Sequence, residues 1–414
     1  MQARYEVVIA GAGPAGSVLA LLLARAGAAV LLLDRATFPR PKPCGDCLSA
    51  EATRLLDRLG LLPDVLACAP ALLRGWRILG PDQTGFTTRF EDFGDPDPHV
   101  QHAIAIERSV LDRVLLDAAR AAGAAVLTGA TVTDLCFEAD VVCGVQARTA
   151  AGDRTFRARL TVGADGLRSR VARRLGAVAR APRVRKLSLT THAAVGRDLG
   201  GFGEMHSCGT LCVGVAPVSS RHGGHNITLV ADAARYGRDV ARDPRAFFTR
   251  ALRALPALDL GTVEPHELLA SGPFDSPMRR TTFDGAALVG DAAGYFDPFT
   301  GQGVYQAMAG ATALANVVTP ALERAQRGPV TAVALAPYAH AHRALTRPAR
   351  RVQHLVDGVL SRPRLARAAL GLLEQRPRAA AALIAVTADL RPARTLLSPR
   401  FALALLTPGP RSPS

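Results

Sequence analysis

Short apolar runs and longer apolar segments of helical period alternate along this chain, and the first such stretch sets the pattern. Val7, Val8, Ile9 and Ala10 form an apolar run that ends in the small-residue cluster Gly11-Ala-Gly13-Pro14-Ala15-Gly16. A nearly unbroken apolar segment continues to Ala26, stops at Gly27, and gives way to a second apolar run closing on Asp34. The pattern predicts strand, tight turn, helix, strand. Three prolines between Phe38 and Cys44 then rule out regular pairing, so residues 38–49 are expected as an ordered loop. Ser49 is placed to cap a helix that runs through Leu59 and is closed by Gly60.

Residues 74–93 alternate as strands do, and 94–98 read as a turn. Residues 104–123 begin as a strand end and become an amphipathic helix with Val110, Leu111, Val114 and Leu115 on one face. A meander of short strands is expected over 125–161, then a strand at 160–163 running into Asp165-Gly166 and a helix. Strand-like runs fill 187–229 and 263–274, with a helix predicted over 244–255. The apolar run at 286–289 ends in Gly290-Asp291, and a helix is predicted from Gly301 to about Leu322. Helices rich in arginine follow from Ala336 to the end.

No repeat or low-complexity linker separates these stretches, so two lobes are expected to interleave. The nucleotide lobe is assigned 1–74, 106–180 and 281–325; the substrate lobe 75–105 and 181–280; the C-terminal helices 326–414. At 414 residues with 49% hydrophobic residues the chain can bury a sizeable core, and nothing marks it as disordered.

The formal charge of +15 raises the question of an anionic partner. All but two of the basic residues, Lys42 and Lys186, are arginine, which with the alanine richness points to compositional bias. No nucleic-acid-binding motif is present and aromatics make up 5%, so nucleic acid is not an expected partner; a peripheral membrane contact fits better. The seven cysteines are odd in number and, apart from Cys44/Cys47 and Cys208/Cys212, are scattered without zinc-ligand spacing, so neither a disulfide framework nor a metal site is expected. No basic leader precedes the first strand and no apolar span reaches transmembrane length, which leads to a cytoplasmic expectation.

The first stretch carries chemistry. Gly11 suits the tight turn, Gly13 lets the backbone approach a pyrophosphate, and Gly16 allows close packing of helix on strand. The helix start, at Pro14 and Ala15, offers unpaired N–H groups to phosphates, and Asp34, with Arg35 after it, is placed for a ribose hydroxyl. Alone, this segment would also suit a plain NAD-binding protein.

Four separated stretches together resemble the FAD-dependent oxidoreductases of the aromatic-hydroxylase fold, and the geranylgeranyl reductase branch is the most similar. They are Gly11–Gly16 with Asp34; Ile106-Glu-Arg108-Ser-Val-Leu-Asp112; Gly163-Ala-Asp165-Gly166 with Ser169; and Val289-Gly290-Asp291-Ala-Ala-Gly294 followed by Asp297-Pro298-Phe-Thr-Gly301-Gln302-Gly303. The resemblance implies an α/β fold with a Rossmann-like, glutathione-reductase-like FAD lobe, a β-sheet substrate lobe and a C-terminal helical segment. It implies FAD as cofactor and NAD(P)H as reductant. Arg108 becomes a candidate FAD contact, against the alternative of a surface ion pair, and Asp165 and Gly166 support the pyrophosphate region. Asp291 suits a ribityl hydroxyl, while Pro298, Gly301, Gln302 and Gly303 form a turn whose N–H groups suit the flavin edge.

The loop holding Cys44, Gly45 and Asp46 resembles the reductase branch's Lys-x-Cys-Gly loop, which lies beside the flavin. Cys44 is the candidate catalytic residue, as proton donor or by shaping the pocket. With Cys47 it could instead be a redox pair or half a metal site. The polyprenyl reductases carry a Tyr-x-Trp-x-Phe-Pro signature; here the corresponding stretch, 209–217, keeps only glycine and proline, and the single tryptophan is Trp76. The first expectation is therefore an NAD(P)H-dependent monooxygenase acting on a lipophilic or aromatic natural-product intermediate. A C=C reductase comes second and a non-catalytic electron-relay flavoprotein third. His192, His206 and His225 are candidates to deprotonate a phenol, or are structural. The apolar, arginine-bearing helices at 365–373 and 379–388 are expected to pack over the substrate lobe or to dock on a membrane.

Overall fold

The strand Tyr5–Ala10 lies at the centre of the larger sheet, paired in parallel with Val30–Asp34 on one side and Gly152–Gly163 on the other. Ala125–Thr128 and Ala286–Leu288 extend the parallel set outward, and Thr282–Phe283 closes one edge antiparallel. A parallel sheet is covered on both faces, which is why these strands are apolar without alternation. Val7 and Ile9 pack beneath the helices Pro14–Arg25, Arg108–Ala121 and Gly303–Arg324. Val8 and Ala10 point the other way, onto the antiparallel meander of Thr131–Glu138, Val141–Thr149 and the first half of Gly152–Gly163. Each leucine buried there contributes about 1.5–3 kcal/mol.

This computed structural model describes residues 5–95, 97–181, 186–219, 224–255, 258–298, 301–325 and 328–407. The expected α/β architecture is present: a Rossmann-like lobe, a second sheet and a helical C-terminal segment. The second sheet has seven strands in the order Leu269–Ser271, Lys186–Ala193, His225–Asp232, Leu211–Pro217, Phe202–Cys208, Gly75–Leu79, Gly85–Arg89. One face packs on the helices Ala233–Arg242 and Pro244–Arg253 through Leu189, Ile227, Leu229 and Phe248. The first of these helices was not expected; it starts where Asp232 accepts from the N–H groups of Ala234 and Arg235, a cap overlooked in the sequence.

The other face of that sheet meets the helices Pro363–Glu374 and Pro377–Thr387, which insert Leu370 and Ile384 beside Ile78 and Phe86. The C-terminal helices therefore pack over the substrate sheet, the first of their two expected roles. Ala336–Leu360 ties them back to the nucleotide lobe, where the buried Tyr338 hydroxyl donates to the Leu288 carbonyl at 2.6 Å. Between the two lobes, Ala103–Ala105 pairs with Cys47–Leu48 and Ala71–Leu73 in a small sheet that anchors the proline-rich loop.

Candidate active site

The carboxyl ends of the parallel strands, the proline-rich loop, the inner face of the second sheet and the C-terminal helices together enclose one continuous cavity of about 1190 Å³. Parallel α/β sheets place ligands at this end, where helix N-termini converge. Gly11, Gly13, Pro14 and Ala15 line the cavity, as do Asp34 and Arg35. Gly16 does not; a Cβ there would sit 1.8 Å from the Gly11 carbonyl oxygen, so its role is close packing. Gly11 has φ +106°, and a Cβ would lie 2.4 Å from the Ala164 oxygen, which excludes other residues.

Asp34 closes the turn from inside: its Oδ2 accepts the Ala12 N–H at 2.7 Å and its Oδ1 the Ala36 N–H at 2.8 Å. Asp165 works similarly on the facing strand end, accepting from the Ser169 hydroxyl and the Arg170 and Val171 N–H groups. Both carboxylates thus shape the rim, and Asp165 and Gly166 border the cavity. Asp291 differs. Its side chain borders the cavity and makes no hydrogen bond to the described residues. Burial pushes its carboxyl up, with Lys42 and Arg108 pulling the other way.

Arg108 is buried rather than on the surface, and its guanidinium forms a two-pronged pair with Asp112 while bordering the cavity. Arg40 joins the same carboxylate at 3.3 Å, and its Nε is buried with no partner. Pro298, Gly301 and Gly303 border the cavity near Asp291. Gln302 is turned away: its amide donates to Asp389 and its oxygen accepts from Gln353 at 3.4 Å, so the turn meets the cavity through its glycines.

These residues fit FAD. A Cβ at Gly13 would meet only Arg40 Nη2, at 3.8 Å, which leaves room for a phosphate beside the Arg40 guanidinium. Asp291 is an open acceptor for a hydroxyl. The glycine turn would hold the pyrophosphate, Asp34 and Arg35 the adenosine end, and Asp291 with the 301–303 turn the flavin end.

Cys44 and Gly45 border the cavity in the loop, and Cys44 and Cys47 are both free thiols. Burial pushes the Cys44 thiol up, opposed by the adjoining Arg108 guanidinium, so the group carries its proton at neutral pH. Burial pushes Cys47 up further. Lys42, also at the cavity, is lowered by burial against the pull of Asp291.

Of the three histidines, only His192 reaches the site, and it does so through Asp46. His192 Nε2 lies 2.6 Å from Asp46 Oδ2, which also accepts from Asn226 Nδ2 at 2.7 Å. His206 is buried on Glu204, on the far side of its strand, and His225 lies at the strand start facing Ala193 and Pro217. Asp46 and Asn226 were not singled out in the sequence. The available signal was a polar series at every second position, Ser188, Thr190 and His192 on one strand and Asn226 and Thr228 on its partner, with Leu189 and Ile227 between but broken by Thr191. The cavity wall facing that series is apolar and comes from Leu370, Leu373, Ile384 and Phe401 of the C-terminal helices.

Comparison with known proteins gives the family of the chain. Residues 4–335 match the FAD binding domain family. The chain is 31% identical over 329 residues to digeranylgeranylglycerophospholipid reductase 1 of Methanopyrus kandleri, covering 77% of this chain and 82% of that protein. It is 30% identical over 320 residues to the menaquinone reductase of Mycobacterium tuberculosis, covering 72% of each. The fold is shared with a geranylgeranyl bacteriochlorophyll reductase-like protein from Thermoplasma acidophilum, with TM-score 0.75, 21% identity, and coverage of 98% of this chain and 99% of that one. A cavity built for FAD, a family match over four fifths of the sequence and these relatives converge: the chain belongs to the FAD-binding-domain family, as an FAD-dependent oxidoreductase similar to the geranylgeranyl reductases.

Proposed function

We propose that the protein reduces a C=C bond of a lipophilic, isoprenoid-bearing substrate, with NAD(P)H as the source of electrons. One observation carries this reading. Cys44 of the proline-rich loop and the apolar side chains Ile78, Phe86, Leu370 and Ile384 border the same cavity, a lining that suits a long apolar group brought to that loop. Held in this cavity, reduced FAD would supply hydride chemistry to one carbon of the double bond. The residues supply the rest. Cys44 holds a proton on Sγ for the second carbon, Arg108 beside it stabilises the thiolate left behind, and the apolar wall excludes water. The names of the relatives, reductases of polyprenyl lipids and of menaquinone, support the same reading.

The strand Leu211–Pro217 presents Cys212, Gly214 and Ala216 to the cavity, and a Cβ on Gly214 would meet nothing within 4 Å. Small residues at this wall leave width for a ring or a branched chain. The mouth carries Leu397 and Phe401 close to Arg394 and Arg400; Leu397 is 89% exposed, and Leu403 and Leu406 follow at 60% and 75%. No helix among the described residues is long and apolar enough to cross a membrane, so a surface contact through this edge is the proposed route for a lipid.

Hydroxylation, the first expectation from sequence, is the second reading. It is favoured by the polar strip of Ser188, Thr190, Asn226 and Thr228 that borders the cavity, which suits a hydroxyl-bearing substrate. Oxygen separates the two. FAD-loaded protein, reduced without oxygen and given a menaquinone or a geranylgeranyl lipid, should add two hydrogen atoms per double bond by mass spectrometry. Product that forms only in air and carries oxygen from labelled O2 would replace the reductase with a monooxygenase.

A further inference from the structure

Asp46 is held in the left-handed region at φ 57°. It is 3% exposed and bonded from three directions: by His192 and Asn226 on Oδ2, and by the Arg108 backbone N–H on Oδ1 at 3.2 Å. A non-glycine residue in this conformation persists only where its surroundings over-determine it. Asn226 donates a second hydrogen bond to the Cys44 carbonyl at 2.8 Å, and Ile106 N–H donates to the Asp46 carbonyl at 2.9 Å. The turn 44–47 is thus pinned to the paired strands Lys186–Ala193 and His225–Asp232, on which His192 and Asn226 are direct cross-strand partners.

His192 is the member of this cluster that can change charge at ordinary pH. Its side chain is 17% exposed and does not border the cavity, so solvent reaches the ring from outside the site. The groups around it are acidic: Asp46 in contact, with Glu107 and Glu267 farther off. Arg108 and Cys44 adjoin Asp46 from the cavity side.

We propose that His192 is a positioning residue of the active site, which through its ion pair with Asp46 latches the Cys44–Cys47 turn against the substrate sheet. Its effect on turnover rests on the function proposed above; the latch itself does not. Burial lowers the imidazole's proton affinity, but the Asp46 carboxylate outweighs this and holds His192 above its ordinary value. Burial likewise pushes the Asp46 carboxyl up, against the hydrogen bonds from His192 and Asn226. The charged latch is therefore complete at pH values below the raised His192 value and above the raised Asp46 value. It weakens as pH rises through the former.

Hydrogen–deuterium exchange of the 44–48 segment in FAD-loaded protein tests this directly. At pH 6, H192F should exchange there roughly tenfold faster than wild type, the cost of one charge-assisted bond. The difference should shrink as His192 deprotonates. H192Q keeps an N–H donor without the charge, so it should recover part of the protection and lose the pH dependence. NMR titration of the His192 ring should give a value above the ordinary one in wild type and a lower one in D46N. Equal exchange in H192F and wild type at pH 6 would overturn the latch, as would an unchanged His192 titration in D46N. Both readouts are independent of turnover, so the latch and the reductase reading fail separately.

Discussion

Arg108 Nε and Nη2 reach Asp112 Oδ1 and Oδ2 at 2.8 and 2.9 Å, one helical turn apart on the helix that begins at the cavity, and Asp112 is fully buried. Removing the guanidinium leaves a buried carboxylate whose remaining ion-pair partner among the described residues is Arg40, at 3.3 Å. R108A should therefore destabilise the protein by about 3 kcal/mol in urea titration. The double variant R108A/D112A should cost less than the sum of the single ones. FAD affinity, read by flavin fluorescence, should fall in R108A and in D112N.

Two glycines of the first turn should separate cofactor binding from folding. At Gly13 a Cβ meets only the end of Arg40, whereas at Gly16 it runs into the Gly11 carbonyl. G13A should unfold within about 0.5 kcal/mol of wild type but bind FAD about tenfold or more weakly, because the methyl group stands where the pyrophosphate approaches. G16A should lose about 3 kcal/mol or more of stability, since the clash is with backbone.

Width at the small-residue wall is testable at Gly214. G214F adds a ring where nothing lies within 4 Å of the Cβ position, so melting should change by less than about 1 kcal/mol. Turnover of a ring-bearing lipid should drop by an order of magnitude, with a rise in KM for that lipid when the two substrates are compared.

Asp389 supplies a pH dependence. Burial pushes its carboxyl up to about 8, against the hydrogen bond from Gln302 and with Glu51 adding to the rise. Between the ordinary aspartate value and about 8 the folded state binds more protons than the unfolded one, so this group makes stability fall as pH rises across that window. D389N keeps the hydrogen bond and suits the left-handed backbone at φ 63°. It should flatten the slope of Tm against pH and be more stable than wild type at about pH 9, by on the order of 2 kcal/mol.

What the sequence determined by itself is local. The glycine turn, the capped helix after Ser49, the Arg108–Asp112 spacing and the strand ends at Gly163 and Val289 are encoded within a few residues each. Backbone sterics and the helical repeat leave little else for those segments to be. The resemblance carried by the four stretches extended that to the cofactor and the α/β fold.

The tertiary structure decided the rest, because periodicity shows which face of an element is apolar but not which element covers it. His192 and Asp46 are 146 residues apart, and only the folded packing of the substrate sheet on the proline-rich loop brings them to 2.6 Å. Gln302 lies within a cofactor-like turn, yet Asp389, in the turn that follows the helix Pro377–Thr387, draws its side chain away from the cavity. In sequence the apolar C-terminal helices read first as a core face over the substrate lobe, with a membrane face as the alternative. Their packing on Ile78 and Phe86 makes them the lid of the cavity, since burying that stripe against another apolar surface lowers the free energy more than leaving it in water.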